Sequence, residues 1–211
     1  MPKWNTPKRK YADEDPESSI TELQITNKDQ SGPSITANRL YFYGDINDDT
    51  VLGWNRQLDD VSKNMKVIQT MYDLPAPPPI HIYIQSYGGE VFAALATLGR
   101  ISHLVKTGFE VHTVVEGFCA SAATLISVGG SRRFMRPYSC MMIHQLSSGF
   151  WGTYAEMKDE QKNVDLMMNI IRSVYNKHTH LGLKDLDDIL THDLYLSPEE
   201  CIQKGLTDEV L

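Results

Sequence analysis

The chain has 211 residues, 41% of them hydrophobic and 22% charged, which suits one globular domain with a sizeable core plus a tail. A formal net charge of −7 gives no general electrostatic reason to bind nucleic acid or an anionic membrane. The short basic run Lys8-Arg9-Lys10 is offset by Asp13, Glu14, Asp15 and Glu17 and reads as solvated tail.

Residues 1–36 are polar, charged and aperiodic, and they read as a flexible arm. The folded domain is expected over 37–211. Leu40 to Tyr43 predicts a short strand closed by Gly44-Asp45, and Asp48-Asp49-Thr50 a helix start with loose helical spacing as far as Met71. The proline cluster from Pro75 to Pro79 forces an extended connection. His81 to Gln85 alternates as a strand, Ser86-Tyr87-Gly88-Gly89 turns the chain, and Val91, Leu95, Leu98, Ile101 and Val105 recur at helical spacing up to Gly108. Val111 to Val115 predicts a strand, Gly117 to Ser121 a turn, and the apolar run up to Gly129-Gly130 a short helix. Two more short strands are expected at Arg133 to Met135 and Cys140 to Ile143. Tyr154 to about His178 reads as one long helix with Met157, Val164, Met168, Ile171 and Tyr175 on one face. Leu166, Met167, Ile170 and Val174 broaden that stripe beyond what a lone domain would cover, which predicts a second contact. Ser197-Pro198-Glu199-Glu200 supplies a cap, a first-turn proline and a capping-box glutamate for a last helix, ended by Gly205.

Strands alternating with helices imply an α/β fold with a largely parallel sheet, whose active sites sit where strands run into helices. Two unusual turns fall at such places, Gly88-Gly89 and Gly117 to Ser121. Ser121 at its helix start has two readings. It is an N-cap satisfying a helix N–H, or a nucleophile whose oxyanion would lie on helix N-terminal N–H groups. Position alone favours the cap. The small neighbours Ala120, Ala122 and Ala123 favour the nucleophile, because they leave room for a substrate backbone. The segment is not a GxSxG elbow, since Cys119 and Ala123 stand where the glycines would be.

A nucleophilic serine needs a base. Of the seven histidines, His144 ends the strand from Cys140 to Ile143, although a satisfied core or edge histidine is the simpler reading. His178 and His180 are two apart and share no helical face. His81 and His112 lie in strands, His103 within a helix, and His192 beside the candidate acid. That acid is Asp193, anchored by Leu194-Tyr195-Leu196; Asp185, Asp187 and Asp188 compete from a solvated helix start. The backbone N–H groups of Gly89 and Ala122 make a plausible oxyanion pair. Cys119, Cys140 and Cys201 are odd in number, widely spaced and without a CxxC pattern, which argues against zinc and a disulfide framework and fits a reducing compartment. With no secretory signal and no long apolar run, a soluble cytoplasmic protein is expected.

The segments Ser86 to Gly89, Gly117 to Ala123, Met142 to Gln145 and Asp193 to Glu200 strongly resemble the proteolytic subunit of the Clp protease, in that family's order and at similar separations. The resemblance covers roughly 37–211. It implies a crotonase-like superhelix of repeated ββα units with a projecting handle helix at about 154–178. It also implies a serine endopeptidase that cuts unfolded chains inside a ring-shaped chamber through an acyl-enzyme. Carried over, Ser121 is the nucleophile, His144 the base, Asp193 the orienting acid, and Gly89 and Ala122 the oxyanion positions; Gly88, Leu146 and Ser147 bind substrate backbone. The implied partners are further copies of this chain in stacked, heptameric rings and an AAA+ unfoldase, docked near Tyr83, which consumes ATP. The chain itself is expected to need no cofactor or metal.

The sequence departs from the family pattern at Tyr87, where proline is usual, and at Leu146-Ser147-Ser148-Gly149, where Pro-Leu-Gly-Gly is usual. The Pro75 to Pro79 connection reads as an insertion, and the arm does not match the family's axial loops. Three alternatives stand beside this reading: a phage-type capsid maturation protease of the same fold, a non-catalytic ring subunit, and an acyl-CoA enzyme sharing the glycine-type oxyanion hole.

Overall fold

The structure, a computed structural model, describes residues 38–211. The arm expected at 1–36 lies outside the described residues. Parallel pairing organises the rest. Strands β1 (Arg39–Tyr43), β2 (Ile80–Ser86), β3 (Val111–Ala120), β4 (Arg132–Met135) and β6 (Glu209–Val210) lie side by side in that order, and β5 (Cys140–Met142) also pairs with β3. Every ladder is parallel. Parallel neighbours need crossovers, supplied by the helices α1 (Asp48–Met71), α2 (Val91–Lys106) and α3 (Ala122–Ser127). Helices α4 (Tyr154–His178), α5 (Leu183–Leu190) and α6 (Pro198–Gln203) follow β5. This is the mixed α/β architecture with a parallel sheet expected of the crotonase-like fold.

The alternation in the strands decides which face is covered. Leu40, Phe42, Ile80, Ile82 and Ile84 are buried, and Phe42 stacks on Trp54 of α1 at 4.6 Å. Each such side chain contributes on the order of 2 kcal/mol of transfer free energy. The opposite residues Tyr41 and Tyr43 stay about half exposed, and Tyr41 stacks on Tyr83. Local chemistry sets the helix starts. Asn47 with Thr50, Thr153 with Glu156, and Ser197 with Glu200 each form a capping box.

Two features differ from the sequence reading. The expected turn from Gly117 to Ser121 is strand as far as Ala120. Pairing jumps from Ile84↔Val115 to Ser86↔Cys119, so extra residues bulge out around Gly117, whose φ of +73° suits glycine. The bulge lets β3 pair with β4 before it and with β5 after it. Strand β6 is too short for a periodic signal; it is held by Asp208 N–H bonded to Arg133 C=O and by Leu211 N–H bonded to Met135 C=O. The apolar stripe of α4 is not covered evenly. Met167, Ile171 and Tyr175 are buried, whereas Met157 and Leu166 are more than half exposed. The C-terminal half of α4 thus packs on the core, and its N-terminal half does not.

Candidate active site

The three segments singled out by sequence meet at the end of β3. The junction between β3 and α3 is a single residue. Ser121 has φ 55° and ψ −130°, a conformation that costs a non-glycine residue about 1–3 kcal/mol. Its N–H is held by Met142 C=O at 2.8 Å, and its C=O accepts the Thr124 N–H at 3.0 Å. Its side chain makes no capping bond. The hydroxyl lies 2.7 Å from His144 Nε2 instead.

His144 stands just beyond β5. Its flanks are pinned: Met141 and Leu196 exchange two backbone bonds, and Gln145 N–H donates to Leu190 C=O at 2.7 Å. The first link also fixes the segment carrying Asp193, whose Oδ1 is 3.2 Å from His144 Nδ1. The Asp193 side chain is 78% exposed and that of His144 21%. A carboxylate beside Nδ1 favours the tautomer with its proton there, so Nε2 is free to accept from the Ser121 hydroxyl. The competing acids are elsewhere; Asp187, for example, pairs with Arg172 at 2.8 Å.

The glycine turn closes the site. Gly88 and Gly89 have φ of +98° and +146°. A Cβ on Gly88 would stand 2.7 Å from the Ser121 Cβ, and one on Gly89 would strike the Ile46 carbonyl. Only bare backbone comes this close to the serine. Ile46 clamps the turn by donating to Gly88 C=O at 2.9 Å and accepting from Glu90 N–H at 2.8 Å. Among the described residues the Gly89 N–H makes no backbone hydrogen bond. Ala122, first residue of α3, has no carbonyl one turn back to bond.

A cleft of about 110 Å³ opens over this arrangement, lined by Gly89, Ser121, His144, Leu146 and Ser147, with Tyr175 of α4 on its far wall. Gly88 lies behind Ser121 rather than in the cleft wall. Gly89, Leu146 and Ser147 continue into a groove of about 580 Å³ between the start of α2 and the middle of α4, where Phe92, Val164, Met167 and Ile170 supply apolar walls. Sequence reading missed Tyr175 as a wall of this cleft and Thr124 as the residue bonded to both Tyr175 and the Ser121 carbonyl, because both look like ordinary helix-face residues. Cys119, two residues before Ser121, is no rival nucleophile: burial pushes its thiol far up and keeps it protonated. No group of three or more metal-ligating side chains occurs among the described residues, and no helix there is long and apolar enough to cross a membrane. Chemically, the arrangement can take a proton from a serine hydroxyl and offer two backbone donors to an adjacent oxyanion.

A serine hydrogen-bonded to a histidine that has a carboxylate beside its other ring nitrogen, on a parallel α/β scaffold, defines a class of site, and the comparisons define the family. The model of the family described as Clp protease matches residues 38–211. The ATP-dependent Clp protease proteolytic subunit of Deinococcus radiodurans is 32% identical over 134 residues, or 63% of this chain. The matched stretch spans 64% of that relative's own length. The chain belongs to the Clp protease family.

Proposed function

We propose that the chain is a serine endopeptidase that hydrolyses peptide bonds of unfolded proteins with Ser121, His144 and Asp193. The observation that carries this reading is the Ser121 hydroxyl. It sits at a helix start without capping it and lies 2.7 Å from His144 Nε2. Ser121 Oγ attacks the scissile carbonyl carbon while His144 Nε2 takes its proton. The oxyanion that forms is held by the Gly89 and Ala122 N–H groups. Collapse breaks the C–N bond, imidazolium returns the proton to the leaving amine, and an acyl-enzyme remains. Water, deprotonated by His144, then attacks the ester; the C–O bond breaks, imidazolium returns the proton to Ser121 Oγ, and the acid product leaves. Asp193 keeps the imidazole in its working tautomer. Leu146 and Ser147 bind the backbone of an extended substrate, and the apolar groove beyond them takes a hydrophobic side chain.

The chain works as stacked rings of identical subunits, supplied with unfolded chains by an ATPase that consumes the ATP. The uncovered apolar half of α4, with Met157 and Leu166 exposed, supports self-association. Free Cys119, Cys140 and Cys201 suit a reducing, cytoplasmic setting. A non-catalytic ring subunit would have no use for the strained Ser121 and its histidine. A capsid maturation protease would share the chemistry and differ in its substrate.

Size-exclusion fractions assayed without ATP on a short fluorogenic peptide test the proposal. Cleavage should co-elute with a multi-subunit particle. Full activity in a monomer peak would remove the ring, and no cleavage in any fraction would remove the peptidase.

A further inference from the structure

Tyr175 is 2% exposed, and its hydroxyl lies 2.6 Å from Thr124 Oγ1. Thr124 Oγ1 is in turn 2.6 Å from the Ser121 carbonyl oxygen. A carbonyl only accepts, so the single threonine proton must point to it. Thr124 Oγ1 therefore accepts from Tyr175, and the chain runs in one direction: Tyr175 O–H to Thr124 O–H to Ser121 C=O. Burial pushes the Tyr175 phenol upward, so it stays protonated and a donor. With the Thr124 N–H at 3.0 Å, the Ser121 carbonyl has both lone pairs engaged. That carbonyl shares a planar trans peptide with the Ala122 N–H, and the two point in opposite directions. Pulling the carbonyl into α3 turns the N–H outward.

Resting on the peptidase reading above, we propose that Tyr175 and Thr124 are positioning residues that aim the Ala122 oxyanion donor and hold Ser121 in its strained conformation, so that the seating of α4 sets catalytic competence. Neither side chain takes part in bond making. Their effect is on transition-state stabilisation, because the oxyanion exists only after attack. Tyr175 belongs to the half of α4 that packs on the core, and Met157 and Leu166 to the half left for a partner. A shift of α4 on association would reach Ser121 through two hydroxyls.

The test uses the full chain as purified, with three readouts: the acylation rate by a fluorophosphonate, peptide kcat and KM, and affinity for a peptide boronate, which forms a tetrahedral adduct on serine. Y175F should lower kcat and boronate affinity about 10- to 100-fold, within the range of a displaced catalytic group, with KM nearly unchanged. The double variant T124V/Y175F removes both polar partners together, which leaves no buried hydroxyl unmatched and keeps the fold. It should show the same loss, whereas T124S, which retains the hydroxyl, should keep most of the rate. Wild-type kcat and boronate affinity in the double variant, or a loss confined to KM, would overturn the positioning role. A wild-type protein that the fluorophosphonate fails to label would instead overturn the peptidase reading.

Discussion

Ser121 and Ser197 are both serines at the start of a six-residue helix, and the chain treats them in opposite ways. Ser197 has φ −68° and ψ 165°, an unstrained capping conformation; its side chain accepts from Glu200 N–H, and Glu200 reaches back to the Ser197 N–H at 2.8 Å. Ser121 is strained, leaves its helix without a side-chain cap and turns its hydroxyl to His144. A cap is worth about 1 kcal/mol, and the Ser121 conformation costs about 1–3 kcal/mol. The fold gives up stability at one serine that it collects at the other. Such a sacrifice is evidence of chemistry that residue type and position alone do not supply.

Removing each hydroxyl in turn separates the two serines. Ser121→Ala should lower peptide hydrolysis by on the order of 10⁶-fold and leave the melting temperature unchanged, since no cap is lost. Next in size, Asp193→Asn should cost about 10⁴-fold in kcat by the precedent of other triads. Asp187→Asn should cost nothing in kcat, because that carboxylate is engaged with Arg172. Ser197→Ala should do the reverse of Ser121→Ala. It should destabilise by about 1 kcal/mol, a fall of about 2–4 °C in Tm by calorimetry for a domain of this size, with kcat unchanged.

A weaker pH effect on global stability is independent of both serines. Burial, reinforced by neighbouring charges, lowers the pKa of His81 and of His178. The unfolded chain therefore binds more protons than the folded one just below the ordinary imidazole value of about 6.5. Stability rises with pH through that window and falls as pH drops below it. Asp208 acts lower. Burial is the largest single influence and raises its pKa, but the hydrogen bonds and charge of Arg133 together hold it below the usual carboxylate range. Its contribution is present above about pH 4 and is lost as pH falls through the folded value. Melting scans from pH 7.5 to 5 should show a falling Tm, and the slope should flatten in a His81→Gln, His178→Gln double variant. An unaltered slope would rule out these two groups as its source.

The sequence made much of this legible where one local rule decides. Ser197-Pro198-Glu199-Glu200 announces its helix, and the alternation of Ile80, Ile82 and Ile84 announces a buried strand face. The residues now seen together, Ser121, His144 and Asp193, stood out through the motifs that carry the family resemblance. Spacing alone left Ser121 open between cap and nucleophile, because the two differ in backbone angles and not in residue type. The bulge at Gly117 depends on register against β2, and β6 on its parallel pairing with β4; neither has a periodic signature. Tyr175 and Thr124 were invisible as a pair because 51 residues separate them and each fits its own helix.

Covalent labelling reads whether Ser121 has been released from capping to act as a nucleophile. A fluorophosphonate bonds phosphorus to an activated serine oxygen and expels fluoride, and peptide mapping by mass spectrometry locates the adduct. One adduct is expected, on Ser121, formed rapidly in the wild type and in Ser197→Ala and suppressed in His144→Ala. An unmodified Ser121, or labelling of Ser121 that is equally fast without His144, would contradict it.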